Sequence, residues 1–325
     1  MVKITTCGLT TFGIMLAAAA PPPHFSSDVP LVLVDVQVTE RGTGRVIELL
    51  SPSDFEIYDN GELREVKEFQ IETPPLDVVF LTYGKTGLGP IKDIREFHKS
   101  LDAAAKALRN GDRGAVLRTD SEHKVDLHMT DDLEKVRHAL VRGDKYRTGR
   151  DSLFDALKIA AGLLPRPKEA SRRRAIIAIT DDVERGSRTT MSQLITELLE
   201  ADATLHAVVV ALGRQARREV GFGGVWGIPR VSREFGGGPR QGDSIRAAVE
   251  ATGGDAISGD MLQARFPELI HRMRLRYLLG FYAPTTSRKE YRTIEIRLSP
   301  EAKGQYPNAV IRARRGYYTG PKGAD

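Results

Sequence analysis

Side chains that could do chemistry are scattered along this 325-residue chain and form no catalytic motif. None of the seven histidines belongs to a His-Glu-x-x-His pair, and no Gly-x-Ser-x-Gly sequence marks a nucleophile elbow. Asp181 and Asp182 are adjacent carboxylates, but neighbours in sequence point in different directions and make a poor acid–base pair. His98 and His206 lie in helical and strand patterns, where we expect core-edge or surface groups. The sequence therefore predicts a protein that is not an enzyme.

A glycine- and arginine-rich stretch, Gly213–Gly242, interrupts the regular pattern and contains the only tryptophan, Trp226. Its segment Gly221–Gly227 lacks the Gly-Lys-Ser/Thr ending of a phosphate-binding loop. Long stretches without periodicity inside a compact domain are usually functional or mobile. Since Trp and Arg are enriched in interface hot spots, Trp226 is a candidate binding residue. Burial of Trp226 within its own loop is an equally weighted alternative.

The charge balance gives little sign of a nucleic-acid partner. The net charge of +5 comes from 48 basic and 43 acidic residues, a weak bias, and no nucleic-acid-binding motif is present. The basic runs Arg172–Arg174 and Arg312–Arg315 flank apolar strands and are expected to be solvated strand ends. We therefore expect no nucleic-acid binding.

Residues 1–20 have the pattern of a secretory signal peptide. Lys3 precedes the mostly apolar stretch Ile4–Ala20, which ends in four alanines before a proline run. The only cysteine, Cys7, lies inside this stretch, so the mature chain would have neither a disulfide nor a cysteine ligand. A secreted or periplasmic protein is expected, with no stable membrane span in the mature chain.

Three regions are predicted after the signal: a β segment at 31–75, an α/β domain at 76–275 and a β tail at 276–319. In the α/β domain, continuous apolar runs alternate with amphipathic helices, which predicts a doubly wound, mainly parallel sheet covered on both faces. The run Val125–Met129 is expected to be one antiparallel edge strand. The N- and C-terminal segments are expected to form a small β-rich region beside this sheet.

Local signals predict several turns and caps. Asp59-Asn60-Gly61 predicts a hairpin between Phe55–Tyr58 and Val66–Phe69, because Asn and Gly tolerate positive φ. Asp131 with Glu134, and Thr190 with Gln193, have the spacing of capping boxes at helix starts.

Three stretches taken together resemble the VWFA-related family of secreted acidobacterial proteins, which contain a von Willebrand factor type A (vWA) domain. They are Phe55–Gly61, Arg276–Tyr282 and Arg314–Tyr318. The resemblance covers nearly the whole mature chain. It implies a Rossmann-like vWA domain between a β-rich N-terminal segment and a short β tail. Because vWA modules usually bind partners through a divalent cation, it also raises the question of a metal site.

The metal-ion-dependent adhesion site (MIDAS) of vWA domains takes ligands from three loops at the carboxyl ends of parallel strands. In the first loop, Thr82 stands where the resemblance implies an Asp, Gly84 replaces the first Ser, and Thr86 keeps a hydroxyl at the second. The loop also contains Lys85, whose ammonium group would neutralise nearby carboxylates. Two first-loop ligands are therefore missing.

The second and third loops are changed as well. Asp151 stands where the second loop should offer a Thr, followed by Ser152. Asp181 keeps the expected third-loop Asp, and Asp182 replaces the Gly after it. Because Mg²⁺ needs near-ideal octahedral geometry, we expect a degenerate site and no cofactor.

The sequence thus predicts a secreted, non-enzymatic interaction module that binds an unknown protein partner. The partner surface would be built from Thr82–Thr86, Gly149–Ser152 and Asp181–Arg185. One alternative is a cation-dependent adhesion module with a rebuilt Mg²⁺ site at Thr86, Asp151 and Asp181. An enzyme of unknown class is the third hypothesis.

Overall fold

The structure is a computed structural model, and it describes most of the chain outside the N-terminus and several loops. The described residues are 30–83, 94–119, 123–142, 152–165, 172–180, 182, 184, 186–209, 245–258, 262–286 and 288–319. No helix in these ranges is long and apolar enough to cross a membrane.

The centre of the described fold is a six-stranded sheet in the order β10-β9-β8-β5-β6-β7. Its strands are β5 (Leu76–Tyr83), β6 (Arg113–Thr119), β7 (Lys124–Thr130), β8 (Arg173–Thr180), β9 (Ala203–Val209) and β10 (Ala256–Ser258). Neighbouring strands are parallel except that β7 pairs antiparallel with β6. Numbered within the sheet, the order is 3-2-1-4-5-6, a Rossmann-like arrangement. The predicted parallel sheet with one antiparallel edge is confirmed.

Helices cover both faces of this sheet, which explains why its strands are apolar along their length. The helices are α1 (Ile94–Lys106), α2 (Leu133–Val141), α3 (Leu153–Leu163), α4 (Met191–Glu200), α5 (Ile245–Ala251) and α6 (Leu262–Arg274). Apolar residues of α3, α4 and α5 form a core on one face, and those of α1, α2 and α6 form a second core on the other. All eight residues of β8 are buried between them.

The described flanking segments form two antiparallel four-stranded sheets, β13-β1-β11-β4 and β14-β12-β2-β3. Their strands are β1 (Leu31–Glu40), β2 (Phe55–Asp59), β3 (Glu62–Arg64), β4 (Glu68–Glu72), β11 (Arg276–Tyr282), β12 (Glu290–Leu298), β13 (Ala309–Arg312) and β14 (Gly316–Thr319). The two sheets share one apolar core, to which both ends of the chain contribute Val34, Ile57 and Phe281. The predicted β-rich region made by both flanks is confirmed.

The hairpin and one helix differ in detail from the sequence prediction. Asn60 and Gly61 adopt positive φ as predicted, but the partner strand of β2 is β3 rather than Val66–Phe69, because the two-residue turn places Glu62 opposite Asp59. Strand β4 instead pairs with β11 in the other sheet. A further short helix, α7 (Pro300–Gln305), lies within the β tail.

The two predicted helix caps have different outcomes. Thr190 and Gln193 form the predicted capping box of α4. The cap of α2 is Asp132 and not Asp131, since the carboxylate of Asp132 accepts the Lys135 N–H at 3.1 Å. Strand β7 continues to Thr130, which leaves Asp132 as the residue directly before the helix.

The prediction that Arg172–Arg174 is a solvated strand end is wrong for its last two residues, which are buried. Arg173 donates to Asp35 Oδ1 at 2.9 Å and to the backbone carbonyl of Arg274 at 2.5 Å. The carbonyls at the end of a helix lack intrahelical partners, so Arg173 satisfies the end of α6 and ties the parallel sheet to β1. His206, expected at the core edge or surface, is also fully buried in this region.

Candidate functional site at the carboxyl ends of the parallel strands

Open α/β sheets bind ligands at the carboxyl ends of their strands, and the described members of the predicted site, Thr82, Ser152 and Asp182, lie at that edge. We call this edge the rim. Its described residues are Thr82, Thr119, His123, Ser152, Asp155, Thr180, Asp182, Glu184 and Ser187. They come from the ends of β5, β6 and β8, the turn before β7, the start of α3 and the connection between β8 and α4.

Only part of the predicted site lies within the described residues. Thr82 is on β5, Ser152 directly precedes α3, and Asp182 follows β8. The other predicted site residues lie outside the described ranges: Gly84, Lys85, Thr86, Asp151, Asp181 and Trp226. The ligand set Thr86, Asp151 and Asp181 therefore stays a prediction.

Thr82 occupies the strand end where the resemblance implies an acidic ligand, and its side chain is only 5% exposed. It lies between Arg118 of β6 and Ile179 of β8 in the sheet. Its carbonyl accepts a hydrogen bond from Thr119 Oγ1 at 3.4 Å, whereas its own Oγ1 is buried without a hydrogen-bond partner among the described residues. A carboxylate buried there without a cation would carry a large desolvation cost, which the neutral Thr82 avoids.

Asp182 holds a turn together at the end of β8. Its backbone has φ +59°, and its N–H donates to Thr180 Oγ1 at 3.0 Å. Its Oδ1 accepts the N–H of Ile245 at 2.9 Å, at the start of α5. Glycine adopts positive φ freely and Asp does so more readily than most residues, so the backbone explains why Asp can replace the Gly implied at this position.

Ser152 is the N-cap residue of α3, yet its hydroxyl makes no cap hydrogen bond. The helix N–H groups are satisfied from the β8–α4 connection instead. Phe154 N donates to Glu184 Oε2 at 3.1 Å and to Ser187 Oγ at 3.0 Å, and Asp155 N donates to Ser187 Oγ at 3.2 Å. Ser152 Oγ lies 2.6 Å from Nε2 of His123.

Asp155, in the first turn of α3, accepts hydrogen bonds from the same connection between β8 and α4. Its carboxylate accepts the N–H of Thr189 at 2.8 Å and of Arg188 at 3.0 Å. Burial alone would raise the pKa of Asp155, but the hydrogen bonds from Thr189 and Arg188 and the nearby His123 together hold that pKa below its ordinary value. The start of α3 and the connection after β8 are thus fastened by hydrogen bonds in both directions.

Sequence reasoning missed Ser187 and His123, and it gave Glu184 only as part of the segment Asp181–Arg185 and not as a cap of α3. A Ser three residues before an acidic residue at a helix start, as in Ser152 and Asp155, is the usual sign of a local cap. The cap in the structure comes from residues 30 and 33 positions after Phe154, and no sequence signal marks it.

The described carboxylates of the rim are engaged with backbone. Asp155, Asp182 and Glu184 each accept main-chain N–H groups. Within the described ranges there is no group of three or more His, Cys, Asp or Glu residues that could hold a metal ion. The predicted ligands Thr86, Asp151 and Asp181 lie outside these ranges.

No protein-family model and no curated protein sequence matches this chain. Among solved structures, it is similar to an aerotolerance-related membrane protein from Bacteroides fragilis, with 14% identity, a TM-score of 0.44, and 61% of this chain and 98% of that chain covered. It is also similar to the manganese-loaded TRAP protein of Plasmodium vivax, with 13% identity, a TM-score of 0.42, and coverage of 79% and 97%. A third is proximal thread matrix protein 1 of the mussel byssus, with zinc in its MIDAS motif, at 10% identity and a TM-score of 0.46, covering 67% of this chain and 50% of that one.

Likenesses this distant say nothing about the ligands or partners of this chain. The fold class rests on the chain's own strand order, its antiparallel edge and its two layers of helices. These features define an α/β protein with a vWA-like, Rossmann-like sheet.

Proposed function

We propose that this protein is a vWA-type interaction module whose rim binds a protein partner and whose MIDAS is degenerate. The observation that carries the proposal is the state of the rim. Thr82 is neutral and buried where an acidic ligand is implied, and the carboxylates of Asp155 and Asp182 accept N–H groups of neighbouring loops. Such a rim is built to hold loops in place, which is what a binding surface needs.

The partner surface would comprise Thr82–Thr86, Gly149–Ser152 and Asp181–Arg185, with Trp226 as a further contact. The described rim supports this because hydrogen bonds join the start of α3 to the connection after β8, where Phe154 N donates to Glu184 and Thr189 N donates to Asp155. Specificity would come from their side chains, on a scaffold fixed by the sheet. We also propose a secreted or periplasmic location, supported by the signal pattern of residues 1–20.

A charge-reversal pair tests the surface. The tagged protein is used to capture partners from the native envelope or culture fluid, and Lys85→Glu is compared with Lys303→Glu, an exposed lysine on α7. We expect Lys85→Glu to lose the captured partner and Lys303→Glu to keep it, with equal melting temperatures. Loss in both variants, or in neither, would contradict a partner site at the rim.

One observation favours a second candidate, a cation-dependent adhesion module with Mg²⁺ at Thr86, Asp151 and Asp181. The buried Oγ1 of Thr82 has no hydrogen-bond partner among the described residues, and a metal-bound water could supply one. This candidate predicts saturable Mg²⁺ or Mn²⁺ binding in calorimetry that Asp181→Ala abolishes. The absence of a binding isotherm in the unsubstituted protein would eliminate it.

A further inference from the structure

In the described rim, a hydroxyl meets an imidazole at the contact between Ser152 and His123. Ser152 Oγ and His123 Nε2 are 2.6 Å apart, although the residues are 29 positions apart in sequence. His123 directly precedes β7, and Ser152 directly precedes α3. A nucleophile within hydrogen-bond reach of a general base is the geometry that activates serine.

The hydroxyl of Ser152 is free of the task that N-cap serines normally perform. In this chain Thr190 caps α4 and Ser299 caps α7 by accepting N–H groups of the first helical turn. At α3 that role is taken by Glu184 and Ser187, which accept the N–H of Phe154. The hydroxyl of Ser152 is therefore directed to a histidine and not to the helix.

His123 is held in an uncommon backbone conformation, with φ +48°. Such positive φ in a residue other than glycine costs free energy and is concentrated at functional sites. Its Nδ1 is buried without a hydrogen-bond partner among the described residues, while Nε2 faces Ser152. With the ring proton on Nδ1, Nε2 is the acceptor for the serine proton.

Two electrostatic features lie beside the Ser152–His123 pair. Asp155 interacts electrostatically with His123, and its carboxylate stays ionised because Thr189 and Arg188 donate to it. The positive end of the α3 dipole favours negative charge beside Ser152.

We propose that Ser152 is a nucleophile, with His123 as its general base, and that it accepts the acyl group of activated carboxylic esters. Ser152 Oγ bonds to the carbonyl carbon while its proton passes to His123 Nε2. The ester C–O bond then breaks, and His123 returns the proton to the departing alkoxide. Water then adds to the acyl carbon as its proton passes to the same nitrogen. The bond from that carbon to Ser152 Oγ breaks, Oγ recovers the proton from His123, and the acyl group leaves as a carboxylic acid. The sequence is redox-neutral and goes beyond the binding role proposed for the rim.

Labelling of the full mature chain tests this proposal. The protein is incubated with p-nitrophenyl acetate and, separately, with a fluorophosphonate probe, and the adducts are located by peptide mass spectrometry. We expect one adduct at Ser152, absent in Ser152→Ala and unchanged in Ser299→Ala, whose serine performs ordinary capping. No adduct at Ser152 of the unsubstituted protein would overturn the proposal, whether or not the variants fold.

The role of His123 is tested by His123→Asn, because Asn tolerates positive φ and so preserves the turn. General-base assistance typically contributes about 10²- to 10⁴-fold, so we expect the labelling rate at Ser152 to fall at least about 100-fold. Thermal melting confirms that the variant is folded. Equal labelling rates in the folded variant and the unsubstituted protein would show that the contact is a structural hydrogen bond only, which overturns the proposal.

Discussion

The two ends of the parallel strands use their charges in different ways. At the amino ends, opposite charges pair with one another: Asp77 binds Arg113 and Arg172, and the buried Asp112 binds Arg274. At the rim, the described carboxylates Asp155, Asp182 and Glu184 accept backbone N–H groups and hold loops. Arg173 of β8 also pairs with Asp35 of β1, so the amino ends fasten the β-rich region to the α/β sheet, whereas the rim shapes a surface.

Within the described part of the chain, buried polar atoms without a hydrogen-bond partner occur at both ends, with different meanings. Near the amino ends, Arg276 Nη1 has no such partner, but Nη2 donates to the Gly253 carbonyl at 2.7 Å, so the side chain is anchored. At the rim, Thr82 Oγ1 has no partner among the described residues, and the side chain has no other polar atom to anchor it. Thr82 lies at the edge where open α/β sheets bind ligands, so its buried hydroxyl is a candidate functional group. The side chain of Arg276 is held by its other nitrogen and is structural.

The largest effect is expected from breaking the amino-end network with Asp112→Ala. The carboxylate binds Arg274 and also accepts the N–H of Leu76 at 2.9 Å and of Arg109 at 2.7 Å, so the change leaves a buried arginine unpaired. We expect a loss of about 3–5 kcal/mol in the free energy of unfolding, measured in urea. The control Glu134→Ala breaks an exposed pair with Arg137 and should cost about 1 kcal/mol or less. Equal losses in the two variants would contradict the claim that the buried pair contributes more to stability than the exposed pair.

The next effect concerns the close approach of the β tail to the turn after α5. Gly253 has φ +73°, and a Cβ there would lie 2.5 Å from the backbone carbon of Ala313. Gly253→Ala should therefore destabilise the protein by about 1–3 kcal/mol through overpacking, with strain in addition. In the control Gly162→Ala, within α3, the new methyl group meets open space, and we expect the free energy of unfolding to rise by about 0.5–1 kcal/mol. Thermal melting of both variants measures these changes. A neutral Gly253→Ala would contradict the packing of these two segments.

A smaller effect at the rim separates the cap from the candidate nucleophile. Ser187→Ala removes a hydroxyl that accepts two N–H groups of α3 and should cost about 1 kcal/mol. Ser152→Ala should cost less, about 0.5 kcal/mol or below, because its hydroxyl does not cap the helix. Urea unfolding of both variants measures the difference. The reverse order would mean that Ser152 is an ordinary cap.

The smallest effect near neutral pH concerns His206. Burial lowers the pKa of His206 well below its ordinary 6.5, and the nearby Arg276, Arg272 and Arg312 lower it further. The fold therefore favours the neutral ring. Its contribution to the free energy of unfolding is present above pH 6.5 and is lost as the pH falls from there through the pKa of the folded state. In His206→Asn, where the amide oxygen can still accept the Asp255 N–H, unfolding free energy should fall less steeply below pH 6.5. Parallel profiles would contradict a buried neutral His206.

The parts of the fold predictable from the sequence are those set by local pattern. The apolar runs of β5, β8 and β9 identify strands buried on both faces, and Thr190 with Gln193 identifies a cap within four residues. The sequence predicts the wrong partner strand for the Asn60-Gly61 hairpin, because Val66–Phe69, with an apolar residue at each end, looks more like a strand than Glu62–Arg64.

Long-range polar contacts could not be predicted, because the sequence does not show which donor reaches which acceptor. The sequence predicts a solvated strand end at Arg173, whereas in the structure its guanidinium donates to a carbonyl at the end of α6. The contact between His123 and Ser152 depends in the same way on how β7 and α3 meet. Of the predicted site, Thr82, Ser152 and Asp182 are at the rim, and the implied metal ligands remain predictions.

Thermal melting with and without excess Mg²⁺, Mn²⁺ or Ca²⁺ is the most direct test of a rim that works without an ion. A ligand that binds only the folded state raises the melting temperature by mass action. We expect the same midpoint in chelator and in each cation, for the unsubstituted protein and for Asp181→Ala alike. A rise specific to one cation in the unsubstituted protein, lost in Asp181→Ala, would contradict the account.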